Sequence, residues 1–163
     1  MNGREPLPEL TVRPVAADDG ERLRRLFDRL SSETVYRRFF TLFPTVPPSV
    51  LRHLARARDD DHEELVALNG DEIVAVASWD RVAHDGDEAE LAILVEDAWQ
   101  HQGLGRALMR MVNGEAHRHG ITFVTATILS ENGPARRLAT SLASPVRVDR
   151  DGPSTSYTFS LAS

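Results

Sequence analysis

The stretch that most restricts how this chain can fold is "AELAILVEDAWQHQGLGRALMRMV", residues 89–112. It opens with an apolar run of strand length. It closes with Leu104, Ala107, Leu108, Met111 and Val112 at helical spacing, the expected buried stripe of an amphipathic helix. Between them stand Gly103 and Gly105, at the mouth of that helix. Glycine costs a helix interior about 1 kcal/mol relative to alanine, so two at a helix start ask for a reason. The first turn of a helix exposes amide N–H groups that lack intrahelical acceptors, and it carries a partial positive charge. Phosphate oxygens bind well there, and side chains must be small where a phosphate lies against the backbone. The stretch predicts a strand–turn–helix unit whose turn receives an anion, with Arg106 adding charge at the rim.

Two familiar phosphate sites are excluded. The GxxxxGK[ST] phosphate loop is absent, and Leu108 occupies the third glycine position of a dinucleotide fingerprint. A plain strand-to-helix turn without ligand is the competing reading of the glycines.

The rest of the chain supplies a frame. Leu10–Val15 reads as a strand, and residues 16–30 as a helix with Leu23, Leu26, Phe27 and Leu30 inward and with Asp18 and Glu21 at capping-box spacing. "SSETVYRRFF" is a second helix capped by Ser31 or Ser32, with Tyr36, Phe39 and Phe40 as core residues. "PSVLRHLARA" is a third, with proline in its first turn. "DDDHEE" is a solvated charge run. "LVAL", the turn "NGDE" and "IVAVASW" form an antiparallel hairpin, followed by the "ELAILVED" strand. After the glycine helix, stopped by Gly120, come the strand "ITFVTATIL", the helix "SENGPARRLATSLA" and a closing hairpin. The fold class is α+β: one domain over residues 1–163, with a mostly antiparallel central sheet flanked by helices on both faces and a flexible segment at residues 1–9.

Composition narrows the function. With 163 residues, 41% hydrophobic and 27% charged, the chain suits one packed domain. A net charge of −6 argues against nucleic acid as a partner. The absence of cysteine excludes disulfides, zinc–thiolate sites and a thiol nucleophile. His117 and His119 are two apart on a helix and point to different faces, so no metal is expected. No signal core or membrane span is apparent, so a cytoplasmic protein is the expectation.

Gln100-x-x-Gly103-x-Gly105 after "AELAILVEDAW" resembles the acyl-CoA pyrophosphate motif of the GNAT acyltransferase superfamily, and the resemblance extends over most of the chain. "SSETVYRRFF" with "AELAILVEDAWQHQGLG" is most similar to bacterial protein-lysine acetyltransferase domains. The resemblance implies acetyl-CoA as cofactor and an amine acceptor, either a protein lysine or a small molecule, in a monomer or homodimer. It implies that the backbone of Ile93, Leu94 and Val95 pairs with the pantetheine arm, and that an N–H near Val95 polarises the thioester carbonyl. It implies that the amides around Gln100 and from His101 through Gln102, Gly103, Leu104 and Gly105 to Arg106 wrap the pyrophosphate. Asn132 matches the family asparagine that bonds the pantetheine; read physically, it is a helix cap. Tyr36 or Arg37 would form a wall of the acceptor cleft.

The implied reaction is attack of a neutral amine on a thioester. A lysine of ordinary pKa is neutral in about one molecule in 2,500 at pH 7, so a base helps. Glu90 aligns with the strand glutamate that such enzymes use as base, and burial among Leu91, Ala92 and Ile93 would raise its pKa. Glu88, two residues earlier on the same face, is the reserve. The family's tyrosine acid falls at Ala139, and the usual Gly-Phe after that helix is "LASPV". A non-catalytic acyl-CoA sensor of the same fold is the alternative, and Glu90 discriminates, because a pure binder needs no carboxylate beside the thioester.

Overall fold

The computed structural model describes residues 9–161. The N-terminal segment expected to be flexible therefore lies outside the described residues, apart from Glu9. Seven strands form one sheet: β1 (Thr11–Pro14), β2 (His62–Asn69), β3 (Glu72–Arg81), β4 (Glu88–Val95), β5 (Phe123–Leu129), β6 (Arg147–Asp151) and β7 (Ser154–Ser160). Their spatial order is β1-β2-β3-β4-β5-β7-β6. Every neighbouring pair is antiparallel except β4–β5. Among the described residues five α-helices pack on it: α1 (Gly20–Arg29), α2 (Ser32–Phe39), α3 (Pro48–Leu54), α4 (Leu104–Arg118) and α5 (Gly133–Leu142).

The sheet is covered on both faces, as expected, and strand alternation explains how. On β3, Ala75, Ala77 and Trp79 point into a core shared with Leu104, Leu108 and Val112 of α4. Their neighbour Val76 points the other way, into a core with Leu23, Leu26 and Phe27 of α1, Val35 of α2 and Leu54 of α3. Gly70, at φ 61°, turns β2 into β3. Gly120, at φ 83°, ends α4 as anticipated.

Several local expectations need correction. Asp18 and Glu21 do not form the first cap. Asp19, buried, accepts from the Ala16 amide at 2.7 Å and is gripped by Arg13 through contacts of 2.7 and 2.9 Å. The buried face of α4 is Leu104, Leu108, Met109, Val112 and Ala116, while Ala107 is exposed and Met111 is 44% exposed. The sheet lies against the other flank of the Leu104–Leu108–Val112 row. Of the aromatics on α2, Phe39 packs with Phe27 and Phe43, at ring centroid distances of 5.7 and 5.6 Å, but Tyr36 and Phe40 are exposed. Ser31 caps α2 as expected, accepting from the Thr34 amide at 3.1 Å.

The largest departure is at "DDDHEE". His62, Glu63 and Glu64 are 1%, 2% and 2% exposed. They are the first residues of β2, which starts before the apolar run and pairs them with Asp80, Trp79 and Ser78 of β3. A charged composition suggested solvent; membership of a central strand put them inside.

Candidate active site

The parallel pair at the sheet's centre creates the site. β4 and β5 pair only over Glu88–Leu91 and Phe123–Ala126. Beyond that the strands part, leaving a cleft of about 560 Å³. The direction of the β4 backbone follows from two bonds: the Glu88 carbonyl accepts from Val82 N, and Glu96 N donates to Val74 O, both at 2.9 Å. The register between them is unbroken, so even-numbered residues of β4 bond to β3 and odd-numbered ones face β5. Past Leu91 the odd residues have lost their strand partner. Ile93 and the Val95 N–H thus present unpaired backbone to the cleft. Leu94 does not: its backbone is directed to β3, and its side chain is buried in the α1–α3 core.

The turn after β4 is pinned before it reaches the glycines. Arg29 holds Glu96 at 3.0 Å. Asp97 accepts from Ser31 N at 2.9 Å, Ser31 Oγ at 2.6 Å and Thr34 Oγ1 at 3.0 Å. Burial alone would raise the pKa of Asp97, but these bonds outweigh it and hold the carboxyl below its ordinary range. Gln100 Nε2 donates to Val95 O at 2.9 Å and to Thr34 Oγ1 at 3.1 Å. The Gln100 side chain is therefore a clasp between β4 and α2, and its main-chain N–H is taken by Asp97 O at 3.3 Å.

The turn then bends through two left-handed residues, His101 at φ 61° and Gly103 at φ 89°. Glycine at 103 answers to that backbone. The first bond of α4 runs from Ala107 N to Gly103 O at 3.1 Å. The amides of residues 101–106 donate to no protein acceptor among the described residues. His101, Gly103, Gly105 and Arg106 line the cleft; the Leu104 side chain is in the core, and Gln102 Nε2 reaches back to Ala98 O at 2.8 Å. Gly105 has a second reason for being glycine. A Cβ there would stand 3.1 Å from Leu138 Cδ2, so it also lets α4 and α5 approach closely.

The opposite wall is α5. Asn132 is buried, lines the cleft and caps the helix, its Oδ1 accepting from the Ala135 amide at 3.2 Å. Its Nδ2 has no acceptor among the described residues, so cap and ligand contact can coexist. Ala139, where the family tyrosine would stand, is buried on the same wall. No hydroxyl comes from that position.

At the other end of the cleft the lining turns polar, with Arg37, Arg38, His53, Asp80 and Glu90 beside the ring of Phe40. Glu90 is exposed rather than buried, because Leu91 and Ile93 alternate to the far face and its own neighbours across the sheet are Asp80 and Thr125. Glu88 stands outside the cleft, paired with Arg147 at 3.2 Å. Tyr36 is not part of the wall; Arg37 is. Trp79 stacks on His119, with 5.0 Å between ring centroids, and is purely internal.

Behind the polar end lies a cluster that sequence reasoning missed. Asp80 Oδ1 meets His62 Nδ1 at 2.7 Å and Arg56 at 2.8 Å. Burial would raise the pKa of Asp80, but the His62 bond and the Arg56 charge overcome it, so Asp80 stays below its ordinary range and Nδ1 is the donor. Burial pushes Glu64 up to about 8, with Arg38 opposing the rise and Asp80 adding to it. Burial likewise lowers His53 and Arg38. The signal in the sequence was alternation: His62 and Glu64 keep the period of two that continues into Val66.

Comparison with known proteins fits this geometry. The Acetyltransferase (GNAT) family model matches residues 23–143. Acetyltransferase Pat of Mycolicibacterium smegmatis is 32% identical over 130 residues, covering 78% of this chain and 38% of that protein, so the chain spans well under half of that relative. Acetyltransferase PA5475 of Pseudomonas aeruginosa is 27% identical over 135 residues, with coverage of 80% and 72%. The crystal structure of the GNAT domain of S. lividans PAT superposes with a TM-score of 0.84 at 28% identity, covering 91% of this chain and 89% of that one. A strand-edge cleft ending in a helix whose first amides are free, found where the family model matches, leaves one assignment: the chain belongs to the GNAT acetyltransferase family.

Proposed function

We propose that this protein transfers an acetyl group from acetyl-CoA to an amine, a protein lysine or a small molecule, by direct attack with both substrates bound. The observation that carries this reading is the unpaired run of amides from His101 to Arg106 at the end of a cleft whose other end holds Glu90. Three features support the fit to an acyl-CoA. The free amides suit a diphosphate. The open edge of β4 at Ile93 and Val95 suits an amide-bearing arm as an added strand. Asn132 Nδ2 offers a further donor from α5. When bound, acetyl-CoA supplies an activated acyl group.

The chain's own residues would do the rest. The Val95 N–H stands where it can donate to a carbonyl oxygen along β4. Glu90, open to the cleft, takes the proton released as the acceptor nitrogen forms its bond to the acyl carbon and the carbon–sulfur bond breaks. With alanine at position 139, solvent is left to protonate the departing thiolate, a tolerable leaving group of pKa near 8.5. Among the described residues no helix is long and apolar enough to cross a membrane. The test is calorimetry with CoA and acetyl-CoA, followed by CoA release with a panel of amines and lysine peptides. Binding with amine-dependent release supports the proposal. No heat with either nucleotide removes it, and binding without release on any amine returns the chain to the sensor alternative.

A further inference from the structure

We infer that Asp80 is a second carboxylate of the acceptor subsite, anchoring the incoming amine as a cation beside Glu90, and that His62 and Arg56 position it. The inference rests on the acetyl-transfer reading above.

Asp80 and Glu90 are direct cross-strand partners of β3 and β4, and both line the cleft. Like charges opposite one another in a sheet repel, unless a cation lies between them. None from the protein does so. Glu90 makes no ion pair or hydrogen bond among the described residues, and Arg56 and His62 both bind the same Asp80 oxygen, Oδ1. Asp80 Oδ2 is left without a protein donor. Arg37 pairs with Glu33 at 2.7 Å, and Arg38, 4.7 Å from the centroid of the Phe39 ring, and His53 act on Asp80 through their charge without a hydrogen bond to it or to Glu90 among the described residues.

Two carboxylates thus hold open acceptor positions on one face. A primary ammonium carries three N–H donors and matches them. The clamp on Oδ1 fixes the aim of Oδ2. His62 is nearly fully buried, and its Nε2 has no hydrogen-bond partner, with Glu64 Oε2 3.8 Å away. A buried polar atom without a partner is costly. The fold keeps it while using the other ring nitrogen to hold Asp80. The two carboxylates divide the work: Asp80 anchors the cation, and Glu90, with no protein donor, receives the proton.

Protein saturated with CoA is titrated by NMR with Nα-acetyl-lysine methylamide, a cation, and with its neutral Nε-acetylated counterpart. The wild type binds the cation at least about tenfold tighter than the neutral probe. Asp80→Asn weakens cation binding by about tenfold and leaves CoA affinity within about twofold. In turnover it raises KM while kcat changes less than about threefold, the reverse of Glu90→Gln. His62→Asn, which keeps a donor near the Nδ1 position, restores part of what His62→Ala loses. Arg56→Ala, a change outside the core, raises KM about threefold. Equal binding of the two probes, no binding of the cation to CoA-loaded protein, or an Asp80→Asn variant that binds as the wild type does would overturn the inference. Failure of the wild type to bind CoA would instead remove the reading beneath it.

Discussion

The two ends of the cleft are made of different materials. The end formed by His101 to Arg106 and the β4 edge is main chain: free amides, a left-handed glycine, and side chains kept small or turned away. The end formed by Asp80, Glu90, His53 and Arg38 is side chain, with a buried second layer of His62 and Glu64. On the proposed reading the first would hold a group common to all acyl-CoA molecules, so it needs geometry more than chemical variety. The second would choose an acceptor and handle a proton, which requires titratable groups in distinct environments. Backbone sites come from neighbours in the chain. Side-chain sites are collected from whichever strands lie together.

Damage to each end has its own signature. The largest effect is expected at the main-chain end. Gly105→Glu sets a carboxylate among the free amides and crowds Leu138, and CoA affinity falls at least about 100-fold by calorimetry. Gly105→Ala isolates the crowding and shows mainly a lowered melting temperature. Equal losses of affinity in both variants would mean that helix packing, rather than anion binding, sets the requirement for glycine. At the other end, Glu90→Gln lowers kcat near pH 7 by about 100-fold with CoA affinity unchanged, and recovers at high pH, where the amine deprotonates unaided. A pH–rate profile parallel to that of the wild type would exclude Glu90 as base.

The buried layer gives a stability signature instead. The folded pKa of Glu64, about 8, exceeds its value of 4.5 when unfolded, so between these limits the folded state holds the proton more tightly. The stability this contributes is complete below pH 4.5 and is lost as pH rises through 8. Glu64→Gln stays neutral, so it should flatten that fall and be about 1 to 3 kcal/mol more stable than the wild type at pH 9, measured by urea unfolding at pH 5, 7 and 9. The smallest effect is expected at Asn132, where the comparison can be sharpened within one residue. Asn132→Asp keeps the helix cap but loses the Nδ2 donor, so CoA affinity drops severalfold with stability held. Asn132→Ala adds a stability loss of about 1 kcal/mol by thermal or urea unfolding.

This division also explains what could be read from the chain. The order of elements, the helix starts at Ser31 and Pro48, the stop at Gly120 and the tight turn before α4 were legible because each depends on residues a few positions apart. The same holds for Asn132 as a cap. The inward flank of α4 was not: rows through Ala107 and Met111 or through Met109 and Ala116 both have helical period, and only the placement of the sheet selects one. Nor was the exposure of Glu90, whose apolar neighbours in sequence are not its neighbours in space. "DDDHEE" misled most, because its hydrophilic composition hid the alternation that makes His62 and Glu64 part of β2.

By itself, then, the sequence determined the local parts: which segments are strands and helices, and a turn at Gly103 that leaves amides without protein acceptors. Their causes are backbone sterics and short-range periodicity, which act over a few residues. Tertiary structure alone decided that β4 and β5 part after Leu91, that Gln100 is spent as a clasp, and that Asp80 faces Glu90 with His62 behind it. Those are matters of register and burial between segments tens of residues apart, set when the whole sheet closes.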